Sequence, residues 1–334
     1  MLEKIKYAYR SLMPKSLRRI IRSWIVENKF HYDAEIEFYG AYEVLRQNLK
    51  VKKLTYPQRR NINWAHGWYS DFFMLYSQDP YFANCNIYYK VPGRINFVTR
   101  KSQEQFLRDK GYPNSFAIGM PITYIPEKRV KKKISSLLVM PTHTIDGYEI
   151  NTFEEEYADL INSFKNDFDE IVVMIHPTCF KNDKWVNTFR RHSYKIIKGV
   201  RMESSNSFYR LRNIMSRFEF VTTNAFGSHM MYASYFGAKV SIIGREMEHD
   251  PNEIEKDDNV RLAQDKSPFY ESLRIVSTVN YRKHYPEFYV NHPRQAILQK
   301  EMADRELGVD CRVSKERFDE LVAQYVVPLE FNIP

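Results

Sequence analysis

The sequence predicts an α/β protein in which two Rossmann-like domains face a central cleft, preceded by a basic amphipathic N-terminal helix. Three observations predict it. Strand-like and helix-like patterns alternate from residue 61 to residue 244, the signature of α/β layers. Apolar runs such as Val172, Val173, Met174 and Ile175 are continuous, as in strands of a parallel sheet covered on both faces. Residues 218–244 spell strand, polar turn, helix and strand in one short stretch, half of a doubly wound unit.

Composition sets the outer bounds. A chain of 334 residues has room for one large or two medium domains, each with its own core. With 43% hydrophobic and 27% charged residues it is globular rather than disordered. The 24 Tyr and 22 Phe suit either a ring-lined cleft for a sugar or base, or a tyrosine-rich core. No apolar run is long enough to cross a bilayer. No apolar stretch with a small-residue cleavage site follows the N-terminus, so a secretory leader is not expected. Cys85, Cys179 and Cys311 are odd in number and widely spaced. They form no metal pattern or disulfide framework and fit a reducing cytoplasm. A net charge of +9 points to an anionic partner: nucleic acid, a lipid surface or a nucleotide.

Four segments are expected. Residues 1–30 carry Lys4, Lys6, Arg10, Lys15, Arg18, Arg19, Arg22 and Lys29 against Glu3 and Glu27, a local charge of +6. Leu17, Ile20, Ile21, Trp24 and Ile25 recur at helical spacing, so this piece reads as an interfacial anchor on an anionic membrane. The alternative is a helix packed on the protein's own core. An RNA-binding arm is disfavoured because no nucleic-acid module follows. Residues 31–130 form the first α/β domain. They contain a helix over 33–50, strands near 61–68, 96–100 and 115–118, and a helix over 102–110 capped by Ser102 with Gln105 three residues on. The charged run 126–133 reads as the linker. Residues 131–250 form the nucleotide-side domain. Its strands are 137–140, 170–175, 194–197, 218–221 and 239–243; its helices are 153–165, 185–191, 207–216 and 229–236. Ser228 is placed to cap the last of these, and Gly237 to end it. Residues 251–334 form a helical extension that packs back on the domains, with helices at 268–277, 293–307 and 314–325.

The candidate chemistry lies where strands end, because ligands of open parallel sheets bind beyond the C-terminal ends of strands. His66, His143 and His176 each follow a predicted strand. Pro177 stops its strand and holds His176 extended, where an imidazole can bond a phosphate oxygen. Thr222, Thr223, Asn224, Gly227 and Ser228 surround a helix start, a ready anion site. A well-capped βαβ turn without a ligand is the alternative. Gly67 leaves space beside His66. A metal-dependent Asp-x-Asp site is not expected.

Strand-HisPro, followed by a strand, hydroxyl residues and a helix, resembles the C-terminal domain of bacterial sialyltransferases. Those enzymes have the two-Rossmann-domain GT-B architecture, in which HisPro and Ser-rich motifs hold the phosphate of CMP. Trp64, Ala65, His66 and Gly67 are similar to the TrpHisGly of CDP-glycerol glycerophosphotransferases. Residues 61–244 as a whole look like transferases of bacterial surface-polysaccharide clusters. This chain departs from those patterns in three ways: Ala65 is inserted, Ser228 is the lone serine of TTNAFGS, and the acidic-acidic-Gly motif has only a partial match at Asp146-Gly147.

The resemblance implies a metal-independent glycosyltransferase with no cofactor beyond its nucleotide-sugar donor, CMP-linked by preference. The acceptor is a polysaccharide or lipid-linked glycan, as in capsule or lipopolysaccharide synthesis, at the cytoplasmic face of the bacterial plasma membrane. His176, Pro177, Thr222, Thr223, Asn224, Gly227 and Ser228 hold the phosphate. His66 or the carboxylate of Asp146 acts as base, and Gly67 and His143 orient the substrate. A CDP-alditol phosphotransferase and a non-catalytic scaffold of polysaccharide assembly stay open as alternatives.

Overall fold

The structure, a computed structural model, describes residues 35–64, 67–71, 94–127, 130–142, 152–180, 183–246 and 278–325. The N-terminal basic segment, His66, Cys85, His143, Asp146, most of the acidic stretch after Glu246 and the expected helix at 268–277 lie outside them.

Two parallel sheets carry the described frame. Strands β1 (Ile62–Trp64), β2 (Ile95–Val98) and β3 (Ser115–Ala117) form a three-stranded sheet in that order, with Ile62 opposite Ile95 and Asn96 opposite Ser115. Strands β4 (Lys133–Val139), β5 (Glu170–Ile175), β6 (Lys195–Lys198), β7 (Phe218–Thr223) and β8 (Lys239–Ile242) form a five-stranded sheet ordered β6-β5-β4-β7-β8. Helix α1 (Lys101–Asp109) joins β2 to β3. Helices α2 (Glu154–Ser163), α3 (Lys184–Arg191), α4 (Ser207–Met215) and α5 (Ser228–Tyr235) follow β4, β5, β6 and β7 in turn. The second sheet therefore grows outward from β4 in both directions, and the chain reverses between β4 and β7. That reversal creates the crevice at which doubly wound sheets bind ligands.

Period-two alternation explains the continuous apolar runs. Leu138, Val172, Met174 and Val221 enter the core that extends to Trp64 and Phe97 of the first sheet. Leu137, Val139, Val173, Ile175 and Phe220 enter a second core under α2 and α3. Both sheets belong to one compact unit, Ala34–Pro334. Its C-terminal part begins with helix α6 (Thr278–His284) and touches both sheets. Tyr289 bridges to Ile242 beside β8. Phe318 of helix α8 (Lys315–Tyr325) packs on Phe97 with ring centroids 5.4 Å apart. Between them runs α7 (Lys300–Glu306), packed against α5.

Several expectations need correction. Residues 33–50 are not one helix. Within 35–49 a 3₁₀ segment, a short α turn and a π turn follow one another, and Tyr39 and Gly40 are left-handed. A Cβ on Gly40 would meet the Ser205 carbonyl oxygen at 2.0 Å, so the kink is set by contact with the second sheet's β6–α4 loop. Helix α1 starts after Arg100, not Ser102; the Gln103 side chain accepts the N–H of Thr99 and of Arg100. The Ser102 hydroxyl instead donates to Asp71. Residues 293–307 hold a 3₁₀ turn and then the short α7 rather than one helix. Gly237 does end α5, at φ +81°, with the Ala238 N–H on the Ala233 carbonyl. Ser314 caps α8 through the Arg317 N–H.

Candidate functional site

A cavity of about 380 Å³ opens at the chain reversal. Its walls come from the C-terminal ends of five strands, one in the first sheet and four in the second. Gly67, Trp68 and Tyr69 follow β1, Met140 to Thr142 follow β4, and His176 follows β5. Gly199 and Val200 follow β6, and Phe226 to His229 follow β7. This is the edge at which open parallel sheets take ligands.

His176 is held by the turn that its proline starts. Pro177–Phe180 is a 3₁₀ turn, and Pro177, at its first position, has no N–H to lose there. The Thr178 N–H donates to His176 Nδ1 at 3.3 Å, and the Thr178 hydroxyl also reaches that nitrogen. With Nδ1 accepting, the neutral ring carries its proton on Nε2. His176 is thus set as an N–H donor. Gly199 lets the end of β6 close on the same edge: its N–H donates to the Ile175 carbonyl at 2.7 Å, and a Cβ would stand 3.2 Å from that oxygen.

The turn after β7 is built from neutral polar groups. Thr222, Thr223 and Asn224 are fully buried. The Thr222 hydroxyl pairs with the Ser241 hydroxyl on β8 at 2.9 Å. The Thr223 hydroxyl donates to the Ala225 carbonyl and contacts His229 Nε2 at 3.0 Å. Asn224 Oδ1 accepts the Thr142 N–H at 2.9 Å, tying the ends of β4 and β7 together. Gly227 is extended, and its missing side chain makes room for His229, whose Nδ1 would lie 3.0 Å from a Cβ there. Ser228 does not cap α5 as the sequence suggested. Gly227 holds the cap position, Ser228 is the first helical residue, and its Oγ accepts the Trp68 N–H at 2.9 Å. The start of α5 still aims its dipole and first N–H groups at this end of the cavity.

The facing wall is held by charge. Arg100, at the end of β2, pairs with the carboxylates of Glu306 and Asp71 and donates to the Tyr69 carbonyl. Glu306 in turn accepts the Trp68 indole N–H at 3.1 Å. Arg100 and Glu306 are both buried. Tyr285 donates to Ser70 at 3.0 Å. The Trp68 ring meets Phe226 at 5.3 Å, and Phe226 stacks on Tyr281 at 4.4 Å. A Cβ on Gly67 would stand 3.3 Å from Ser228 Oγ, so glycine permits the close approach of the two walls. Burial pushes the phenols of Tyr39 and Tyr232 up, Glu203 adding to the first and Tyr39 to the second, so both wall tyrosines stay neutral.

The sequence candidates divide into three groups. His176, Gly67, Gly227 and Ser228 converge on the cavity. Pro177, Thr222, Thr223 and Asn224 stand behind its wall as frame. His66, His143 and Asp146 lie outside the described residues. Sequence reasoning passed over His229, the residue next to Ser228, along with Trp68, Tyr69 and Phe226. His229 was legible as part of the same helix start; the aromatic wall was hidden among many rings. One Asp-x-Asp spelling does occur, Asp167-Phe168-Asp169. Asp167 pairs with His292 Nε2 at 3.1 Å just before β5, the opposite end of that strand from the cavity. Among the described residues no group of three or more His, Cys, Asp or Glu side chains is placed to hold a metal ion.

No family model matches the chain, and no curated protein matches it. Solved structures show distant likenesses. Pneumococcal O-GlcNAc transferase GtfA, in complex with UDP and GlcNAc, is 10% identical over 70% of this chain and 45% of that one, with a TM-score of 0.34. UDP-GlcNAc 2-epimerase from Neisseria meningitidis, bound to UDP-GlcNAc, is 12% identical over 69% of this chain and 61% of that one, with a TM-score of 0.36. A mutant of S. aureus TarM in complex with UDP is 12% identical over 70% of this chain and 43% of that one, with a TM-score of 0.33. The chain spans about half the length of these proteins.

Proposed function

We propose that the cavity grips the phosphate of a nucleotide-activated sugar and that the protein is a GT-B-like glycosyltransferase acting without a metal. The observation that carries this reading is the convergence of His176 and the Gly227-Ser228 helix start on one cavity at the reversal of a doubly wound sheet. A fixed N–H donor and a helix N-terminus suit the charge that develops on a departing phosphate. A CMP-linked donor is the first to test, following the HisPro resemblance. The acceptor is a hydroxyl of a surface glycan or lipid-linked glycan. His66 or Asp146 is the sequence candidate for the base, with His143 orienting substrate.

The test is a thermal-shift screen of CMP, CDP, UDP and GDP. A nucleotide that binds only the folded chain stabilises it by about 2.7 kcal/mol at a hundredfold excess over Kd. The reading expects one nucleotide to raise the melting temperature, CMP first. A response to CDP alone favours the alditol-phosphate reaction, which uses the same grip. Silence from all four nucleotides contradicts the enzyme reading and favours a scaffold.

Membrane attachment through residues 1–30 is the second part of the proposal, resting on their +6 charge and apolar spacing. Deleting them is expected to abolish sedimentation with anionic vesicles, and binding of the full chain is expected to decline as salt rises. Equal binding by both forms would contradict it.

A further inference from the structure

Positive charge is concentrated at one edge of the second sheet. Residues 184–217 carry nine Lys and Arg against one carboxylate, Glu203, a local charge of +8 in a chain of +9. Residues 1–30 add +6, so the rest of the chain is net negative. The span 184–217 comprises α3, β6 and α4 with their loops. Strand β6 is the outer strand of its sheet and pairs with β5. Helices α3 and α4 flank it on opposite faces: Phe189 of α3 enters the core under α2, and Phe208 and Leu211 of α4 enter the other core. The basic residues therefore surround one sheet edge. Lys195 and Lys198 lie on the strand and are exposed, as are Arg190 on α3, Arg210 on α4 and Arg217 just after it. Arg210 donates to the Lys198 carbonyl at 2.6 Å, which holds α4 against the edge. Carboxylates close the far flank, where Glu155 of α2 pairs with Arg191 and Asp159 lies 3.4 Å from His192 Nε2. On the α4 flank the acceptors are neutral: Arg212 donates to the Pro126 carbonyl at 3.2 Å and to Asn213 Oδ1 at 3.0 Å.

Lysines on an edge strand deter pairing with another chain, which accounts for two of the nine cations and leaves those on the helices. The nine do not form a pocket for one small anion. They are spread over three elements, and Lys195 and Lys198 stand about 10 Å apart along the strand and on opposite faces of it. Exposed cations spread along an edge set up a positive potential that suits an extended anionic surface. Ile196 and Ile197, half-buried between the two lysines, supply apolar contact at its centre. We propose that the β6 edge and the adjoining faces of α3 and α4 dock on an anionic membrane. The C-terminal end of β6 runs into Gly199 and Val200, which line the cavity, so docking brings that lip of the cavity to the lipid headgroups. On the glycosyl-transfer reading, a lipid-linked acceptor enters there; the docking itself does not depend on that reading.

The experiment uses the full chain, so residues 1–30 contribute equally in every form. The probes are vesicles of phosphatidylglycerol with phosphatidylcholine, vesicles of phosphatidylcholine alone, and heparin as a soluble polyanion. Three forms are compared. One is wild type. The β6 variant combines Lys195→Gln, Arg210→Gln and Arg217→Gln. The β1 variant combines Lys52→Gln, Lys53→Gln and Arg60→Gln, removing the same charge from exposed positions before β1. A cation near an anionic bilayer contributes about fivefold in affinity. The β6 variant is therefore expected to bind the anionic vesicles about 10²-fold more weakly, with melting temperature and binding to neutral vesicles unchanged. The β1 variant is expected to stay within about threefold of wild type, because salt screens charges held away from the bilayer. Wild-type affinity in the β6 variant overturns the proposal, as does a wild type that ignores anionic vesicles. Equal losses in the two variants show an effect of net charge alone and overturn it too. A β6 loss seen with heparin and not with vesicles makes the partner a soluble polyanion and also overturns it. If the β6 variant melts lower than wild type, Lys195→Gln and Arg217→Gln are measured singly; about fivefold loss in each is expected, and wild-type affinity in both overturns the proposal. Nucleotide binding is read separately by the thermal-shift screen, so its failure and the failure of membrane docking are distinguishable.

Discussion

The two walls that meet at the Ser228–Trp68 hydrogen bond are held by different physics. The wall after β1 depends on charges brought from afar: Arg100 and Glu306 are 206 residues apart, and they clamp Trp68, Tyr69 and Asp71. The wall after β7 depends on neutral hydroxyl and amide groups, Thr222 on Ser241, Thr223 on His229 and Asn224 on Thr142. The difference suits an anionic ligand. On the β7 side no carboxylate takes part in the frame just described, so the helix dipole and the imidazoles are not opposed there. On the β1 side the carboxylates of Glu306 and Asp71 share one guanidinium, whose planar fork reaches both, and Arg305 also pairs with Glu306.

Breaking the charged wall is expected to have the largest effect. Glu306→Ala leaves Arg100 without its buried partner and is expected to cost about 3–5 kcal/mol in chemical denaturation. A cost below about 1 kcal/mol would mean that Arg100 is solvated and the clamp is not what holds Trp68. The neutral wall is expected to break more gently. Asn224→Ala leaves the Thr142 N–H without its amide partner and is expected to cost about 1–3 kcal/mol. A cost equal to that of Glu306→Ala would erase the contrast between the walls. Smallest is the seam. Ser228→Ala removes one cross-wall bond and is expected to cost about 0.5–1.5 kcal/mol. Because Ser228 Oγ already accepts from Trp68, nucleotide affinity is expected to change less than in a His176 variant, measurable by calorimetry.

How much of this was legible follows from the same contrast. The β7 wall is one contiguous string, and its strand, turn, helix and closing Gly237 are each marked by local chemistry. The His176 edge was legible too, because a continuous apolar run ends in HisPro. The role of each hydroxyl was not. A threonine that satisfies a sheet edge and one that binds phosphate look alike until burial separates them, and Thr222 and Thr223 are buried. Ser228 was misread as a cap for a related reason: its partner, Trp68, is 160 residues away. The Arg100–Glu306 clamp left no local trace at all, since neither residue sits in a distinctive pattern. The kink at Tyr39 and Gly40 was likewise invisible, because its cause is the Ser205 backbone.

The central claim is that His176 gives an N–H to a nucleotide phosphate in this cavity. Calorimetry of wild type and His176→Ala with the nucleotide chosen by the thermal-shift screen tests it most directly. The account predicts weaker binding by about 1.5–3 kcal/mol, the range of a hydrogen bond to a charged group, with the melting temperature of the ligand-free protein little changed. Equal affinity in the two proteins, for every nucleotide that binds, would contradict it.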